Sequence, residues 1–249
     1  MLDVKTRSGV CDGVGLRCKD VRGKRGSGER RLEGALAALA TALGAIGAPW
    51  MIIGGLAVIS RGVRRMTTDI DAAVRGDAVR VDQLLEAFAR SGIEPRIDNA
   101  ATFARRNLVL LLRHRATGVD LDVSLSWTAF EHEALASATP SRFGTVRVPM
   151  ATPEALVVFK SLAARPQDIE DATTLLLLHP EIDLARVRTA VHTLAIAAEE
   201  PAIDRALETV ITARDALAAQ SRSGPGRATR QRASGRKVRR ALPKGRRTT

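Results

Sequence analysis

The sequence predicts an α+β protein in which strands and helices interleave up to about residue 150 and helices alone follow, with basic, disordered segments at both ends. Three observations carry that prediction. Short apolar runs with strand periodicity alternate with helical patterns through the first part of the chain. From Pro153 onward the periodicity is helical only. The excess positive charge lies wholly in the ends: of the net +12, residues 1–30 carry +4 and residues 221–249 carry +11, whereas residues 31–220 set 20 basic against 23 acidic side chains. The chain therefore divides into a basic N-terminal extension (1–30), an α/β part (31–150), a helical part (151–220) and an Arg/Lys-rich tail (221–249).

The first predicted element is a helix over residues 31–46, followed by a turn at Pro49 and a buried strand, Trp50–Ile53. Residues 34–60 carry no charge and are long enough to span a bilayer. Their glycines, the Pro49-Trp50 break and their weakly apolar alanines predict a helix, turn and strand of a soluble protein instead. Gly54-Gly55 opens a short helix over 56–61, stopped by Gly62. A strand over 68–74 sets Asp69, Asp71 and Ala73 on one face and Ile70, Ala72 and Val74 on the other. Leu84, Leu85, Phe88 and Ala89 predict an amphipathic helix within 77–91. Residues 107–113 and 119–125 read as a hairpin across the turn 114–118, and 145–148 as one more short strand. Helices are predicted over Pro153–Ala163, Pro166–Leu178, 184–199 and 202–219, the first two with proline at their first position.

Several function classes lose their basis. Cys11 and Cys18 have no second pair and no histidine nearby, so neither a disulfide framework nor a zinc site is expected, and a reduced, cytoplasmic protein is. His114, His132, His179 and His192 share no ligand spacing. No G-x-S-x-G elbow, Walker-type loop, H-E-x-x-H helix or C-x-x-C pair occurs. The opening residues lack the apolar run of a secretory signal. The C-terminal Arg/Lys cluster contains no aromatic residue, so it would tether RNA through counterion release without stacking on its bases.

The informative stretch is Gly54-Gly55, thirteen residues, then Asp69-Ile70-Asp71. Residues two apart on a strand point the same way, roughly 6 to 7 Å apart, so two carboxylates would face one point and repel. A divalent cation with oxygen ligands relieves that repulsion, and Mg²⁺ binds through one or two carboxylates plus substrate phosphates. A diglycine at a strand-to-helix junction supplies the complementary half, because backbone without Cβ atoms lets a phosphate approach the free N–H groups of a helix start.

The run from Gly54-Gly55 through Gly62-Val63-Arg64-Arg65-Met66-Thr67-Thr68-Asp69-Ile70-Asp71 resembles the signature of the polymerase-beta-like nucleotidyltransferase superfamily, in the form typical of AbiEii/AbiGii-type, MenT-like toxin nucleotidyltransferases. The similarity extends from about Trp50 to Leu178. It implies a mixed-sheet nucleotidyltransferase domain followed by a helical bundle. It also implies a third carboxylate on a neighbouring strand, for which Asp120 and Asp122 are available; Asp122 is preferred because Ser124, Leu125, Phe130 and Glu131 resemble the family's D-x-S-L then F-E continuation. Pro153-Glu154-Ala155-Leu156 and residues 160–171 (KSLAARPQDIED) resemble the family's P-E-x-L and K-x-x-A-x-R-x-x-D-x-x-D patterns.

What the resemblance implies is a metal-dependent transfer of a nucleoside monophosphate from an NTP to an acceptor hydroxyl. Asp69, Asp71 and Asp122 would hold Mg²⁺, as two ions, with Asp122 also helping to deprotonate the acceptor. Gly54, Gly55 and Thr67 would grip the triphosphate, and Arg65 and Lys160 would balance its charge, Lys160 snorkelling from an apolar helix face. Arg165 could contact phosphate or cap the preceding helix, and Asp168 could join the site or merely offset the helix dipole. The implied acceptor is RNA, at the 3′ end of tRNA, and the implied partner is the antitoxin of a toxin–antitoxin pair. Two further readings stand beside this one. Adenylylation of an aminoglycoside or of a protein is disfavoured for a polycationic drug by the basic ends. A non-catalytic RNA-binding or antitoxin-like module is disfavoured by the intact carboxylates.

Overall fold

The computed structural model of the protein describes residues 26–223. The predicted disordered ends, including the RNA-tethering tail, fall almost wholly outside that span. Helix α1 (Ser27–Ile46) begins four residues earlier than its Leu/Ala periodicity indicates, because Ser27 to Arg30 extend it without adding to the buried face. Leu36, Leu39 and Leu43 are fully buried along that face, each contributing about 1.5–3 kcal/mol by burial. The helix ends at Gly47, whose φ of 75° is the left-handed turn that glycine adopts without strain.

Strand β1 (Trp50–Ile53) runs into α2 (Gly54–Ser60), which starts at the diglycine itself. Strand β2 (Asp69–Arg75) is followed by a short 3-10 turn (Gly76–Ala78) and α3 (Val81–Arg90), which together replace the single helix expected over 77–91. Strand β3 (Ile93–Pro95) and α4 (Ala100–Asn107) are additional to the predicted elements. Leu108, at φ 55°, terminates α4 and delays the next strand, so β4 is Val109–His114 rather than 107–113. Strand β5 (Val119–Ser126) completes the predicted hairpin. Helix α5 (Ala129–Ser137), a reciprocal capping box between Thr128 and Glu131 at its start, leads to β6 (Thr139–Phe143) and β7 (Val146–Met150). The expected lone strand at 145–148 is therefore one arm of a second hairpin. Helices α6 (Pro153–Ala163) and α7 (Pro166–Leu178) have the predicted bounds, while α8 (Leu184–Ala197) and α9 (Ala202–Ser223) differ only at their ends.

The seven strands form one mixed sheet in the order β3-β4-β5-β2-β1-β7-β6. Strands β2 and β5 are parallel, as are β1 and β7; the other pairs are antiparallel. The core side of β2 and β5 is apolar, with Ile70, Ala72, Val74, Leu121 and Val123 all buried, and α1 and α3 close over the sheet through Leu36, Leu84 and Phe88. Helices α6 to α9 pack on one another, and α6 also meets α2. No helix among the described residues is long and apolar enough to cross a membrane.

Candidate active site

Strand register builds the site. In the parallel pairing of β2 with β5, Asp69 lies opposite Asp120 and Asp71 opposite Asp122, so the period-two alternation puts four carboxylates on one face. On the other side of β2, Ile53 at the end of β1 pairs with Asp71, which delivers Gly54 and Gly55 beside that carboxylate. A Cβ at Gly54 would lie 1.8 Å from Asp71 Oδ2, and Gly54 holds φ at 61°; glycine is required there on both counts. The Gly55 N–H donates to Asp71, and a Cβ at Gly55 would lie 2.6 Å from Thr67 Oγ1. Thr67 donates its hydroxyl to Asp69 Oδ1 at 2.7 Å.

The carboxylates differ in their surroundings. Burial pushes the Asp71 carboxyl above the usual carboxylate range, and the charges of Asp69 and Asp122 push it the same way. Burial also raises Asp122, against the opposing pull of Arg96, which donates to it. Asp120 is held below its usual range by the hydrogen bond from Arg113 Nε at 2.6 Å, with Arg96 Nη1 a further 3.4 Å away. Asp120 is thus answered by arginines across the hairpin, while Asp71 forms no ion pair with any described residue. A cleft of about 710 Å³ opens over this face, lined by Asp69, Asp120, Asp122, Arg65, Thr67 and Arg96 and roofed by the first turn of α1. Asp71 is not part of that lining; it is packed against the diglycine.

The residues that would hold a metal are oxygen donors with unrelieved mutual repulsion at Asp71, a donor set suited to a hard divalent cation. Among the described residues no group of three or more metal-ligating side chains is gathered in advance. Asp69 is turned to Thr67 and Asp122 to Arg96.

The helical half contributes a second charged cluster. Lys160 is buried rather than snorkelling to open water, its Nζ 2.7 Å from Asp168 Oδ1 and 3.0 Å from Asp171 Oδ2. Asp168 is not a solvated first-turn acid: it is 1% exposed and takes a 2.6 Å bond from Arg165 Nε. Burial would raise Asp168, but the bonds from Arg165 and Lys160 outweigh it and hold the carboxyl low. Asp171 also accepts from Arg65 Nη1. Arg165 caps its own following helix through Asp168, and its guanidinium remains largely exposed within the field of Asp71 and Asp69. Sequence reasoning did not single out Arg96 or include Asp171 among the site residues. Asp171 carried a signal in its i+3 spacing from Asp168, whereas nothing local ties Arg96 to Asp122.

The family described as "Nucleotidyltransferase of unknown function (DUF6036)" matches residues 46–209, which span the diglycine, all four strand carboxylates and both charged helices. The chain belongs to that family. The DUF6036 protein is thus a nucleotidyltransferase with the mixed α+β fold of such enzymes, and the finer AbiEii/MenT assignment is not part of this finding. Among curated proteins no sequence matches the chain. Solved structures similar to it include the antibiotic-resistance factor ANT(2″)-Ia in solution, at 19% identity and TM-score 0.41 over 78% of this chain and 93% of that one. An antigenic nucleotidyltransferase-like protein from Paracoccidioides brasiliensis is similar at 19% identity and TM-score 0.44 over 73% and 93%. JHP933 from Helicobacter pylori is similar at 14% identity and TM-score 0.40 over 78% and 96%. Likenesses this distant say nothing of the acceptor.

Proposed function

We propose that this nucleotidyltransferase moves a nucleoside monophosphate from an NTP to a hydroxyl of RNA, at the 3′ end of tRNA, with Mg²⁺, as the cytoplasmic toxin of a toxin–antitoxin pair. The observation that carries the chemistry is Asp71: its carboxyl raised by burial first and by its acidic neighbours second, without an ion-pair partner among the described residues, and held against Gly54 and Gly55. The RNA acceptor and the antitoxin rest on the sequence resemblance.

The acceptor oxygen attacks the α-phosphorus, the bond from that phosphorus to the bridging oxygen breaks, and pyrophosphate leaves. Asp122, whose carboxyl burial makes more basic than usual, receives the acceptor's proton. Asp69, Asp71 and Asp122 would hold Mg²⁺, which would supply positive charge to offset the charge that develops during the displacement. Gly54, Gly55 and Thr67 bind the triphosphate at the start of α2, beside Asp71, to which the Gly55 N–H donates. Arg65 and the exposed Arg165 neutralise its charge.

Incubating the full chain with labelled NTPs, Mg²⁺ and total RNA tests the reading. The expected result is labelled tRNA with wild type and none with Asp69→Ala. Transfer unchanged in Asp69→Ala overturns the carboxylate assignment; label appearing on an aminoglycoside or a protein and not on RNA overturns the acceptor.

A further inference from the structure

We infer that Lys160 and Asp171 are positioning residues that act on the nucleotide only through Arg65. The inference rests on the reading of Arg65 as a triphosphate ligand, and it reassigns Lys160, which the sequence pattern would place on the phosphates directly.

The geometry argues each step. Arg65 reaches from the loop before β2 to Asp171 on α7, so its guanidinium bridges the sheet half and the helical half. The opposite edge of that guanidinium faces the diglycine: a Cβ at Gly55 would come 3.2 Å from Arg65 Nη2. Its Nε donates to Met66 O at 3.2 Å, which fixes the third side. A guanidinium bonded at two nitrogens, with the third against the diglycine, has one orientation, and here it lines the cleft beside Thr67 and Asp69.

The carboxylate that fixes it is itself fixed. Asp171 is 1% exposed, takes Lys160 Nζ at 3.0 Å and accepts from Gln167 Nε2 at 3.3 Å. Lys160 has its ammonium shared between Asp171 and Asp168, both buried, and is itself 6% exposed. Two of the ammonium's three N–H groups are spent on these carboxylates, and Lys160 is no part of the cleft lining, so a phosphate in the cleft reaches it only if a buried ion pair is broken, which is costly. Its contribution to nucleotide affinity must then pass through Asp171 to Arg65.

A double-mutant cycle separates the two routes. Binding of a non-hydrolysable NTP analogue is measured by calorimetry on the full chain, for wild type, Arg65→Ala, Lys160→Met, Asp171→Asn and the pairs Arg65→Ala/Lys160→Met and Arg65→Ala/Asp171→Asn. Lys160→Met leaves Asp168 with Arg165 and Asp171 with Arg65, so it keeps the test open if Asp171→Asn does not fold. Each single substitution is expected to weaken binding about tenfold, and in the Arg65→Ala background neither Lys160→Met nor Asp171→Asn weakens it further. In steady state Lys160→Met raises the KM for NTP and leaves kcat at saturating NTP within about twofold. Costs that multiply in the Arg65→Ala background overturn the inference and make Lys160 a direct ligand, with the transfer reading intact. Wild-type affinity in Arg65→Ala, or no binding by wild type, overturns the reading of Arg65 and the inference with it.

Discussion

Two acidic clusters flank Arg65, and they are built on opposite principles. Asp168 and Asp171 on α7 are almost fully buried, yet Lys160, Arg65 and Arg165 supply three cations to the two of them. Asp69 and Asp71 on β2 form no ion pair with any described residue; a threonine hydroxyl and a backbone N–H bond to them, and Lys160 and Arg165 act on them only from a distance. The same functional group therefore serves as mortar in one place and stands without an ion-pair partner among the described residues in the other. Burial alone does not mark a functional carboxylate, since the more deeply buried pair is the better satisfied. What sets Asp71 apart is burial without an ion-pair partner among the described residues.

The sharpest test of that contrast is Asp71→Asn. The expected result is a loss of transfer rate of about a thousandfold, the scale for removing a key electrostatic group, with an unchanged or higher thermal midpoint. The sign follows from the cause: burial and like charges disfavour the ionised form in the folded state, so a neutral isostere relieves a penalty. A large drop in the midpoint would show Asp71 to be structural after all. Lys160→Ala is expected to do the reverse to stability, costing about 3 kcal/mol in urea unfolding because it leaves buried carboxylates short of a partner. If that variant unfolds like wild type, the helical cluster is not the mortar it is described as.

Cation addition separates the clusters next. Mg²⁺ at a hundred times its dissociation constant is expected to stabilise wild type by about 2.7 kcal/mol by linkage, measured as a calorimetric midpoint shift, and to do so much less in Asp71→Asn. An equal shift in both proteins would place the cation elsewhere. The smallest effect belongs to Asp120, which is partnered by Arg113 and partly exposed. Asp120→Asn is expected to change stability by about 0.5 kcal/mol and transfer by less than about threefold, whereas Asp122→Asn abolishes transfer. Equal losses would make the two carboxylates one functional unit.

Much of this was legible in the sequence, for reasons tied to local patterns. The bounds of β1, α6 and α7 were readable because Pro49, Pro153 and Pro166 punctuate them and their apolar periodicity is unbroken. The alternation of Asp69 and Asp71 with Ile70, Ala72 and Val74 showed the face the carboxylates share. Helix α4 was not readable: its eight residues, AATFARRN, bury only two alanines and carry no stop signal but a strained Leu108. Helix α5 did have a signal, the Thr128-x-x-Glu131 capping box, beneath the likeness to a family motif. The burial of Lys160 was not readable either, since a lone lysine on an apolar face looks the same whether its head finds water or two carboxylates from the next helix. Arg96 shows the same limit in the site, because its partners stand 24 and 26 residues away on another strand.

The parallel pairing of β2 with β5 gives the protein a built-in interlock. Asp71 and Asp122 become neighbours only after the chain has travelled out through α3, β3, α4 and β4 and returned alongside itself. A chain still emerging from the ribosome has Asp69 and Asp71 on β2 but no cross-strand partner for them until β5 is made and paired. If Asp122 takes the acceptor's proton as proposed, a fragment ending before β5 lacks that group, and detachment of β5 from β2 carries it away from Asp71 while leaving β2 and the diglycine in place.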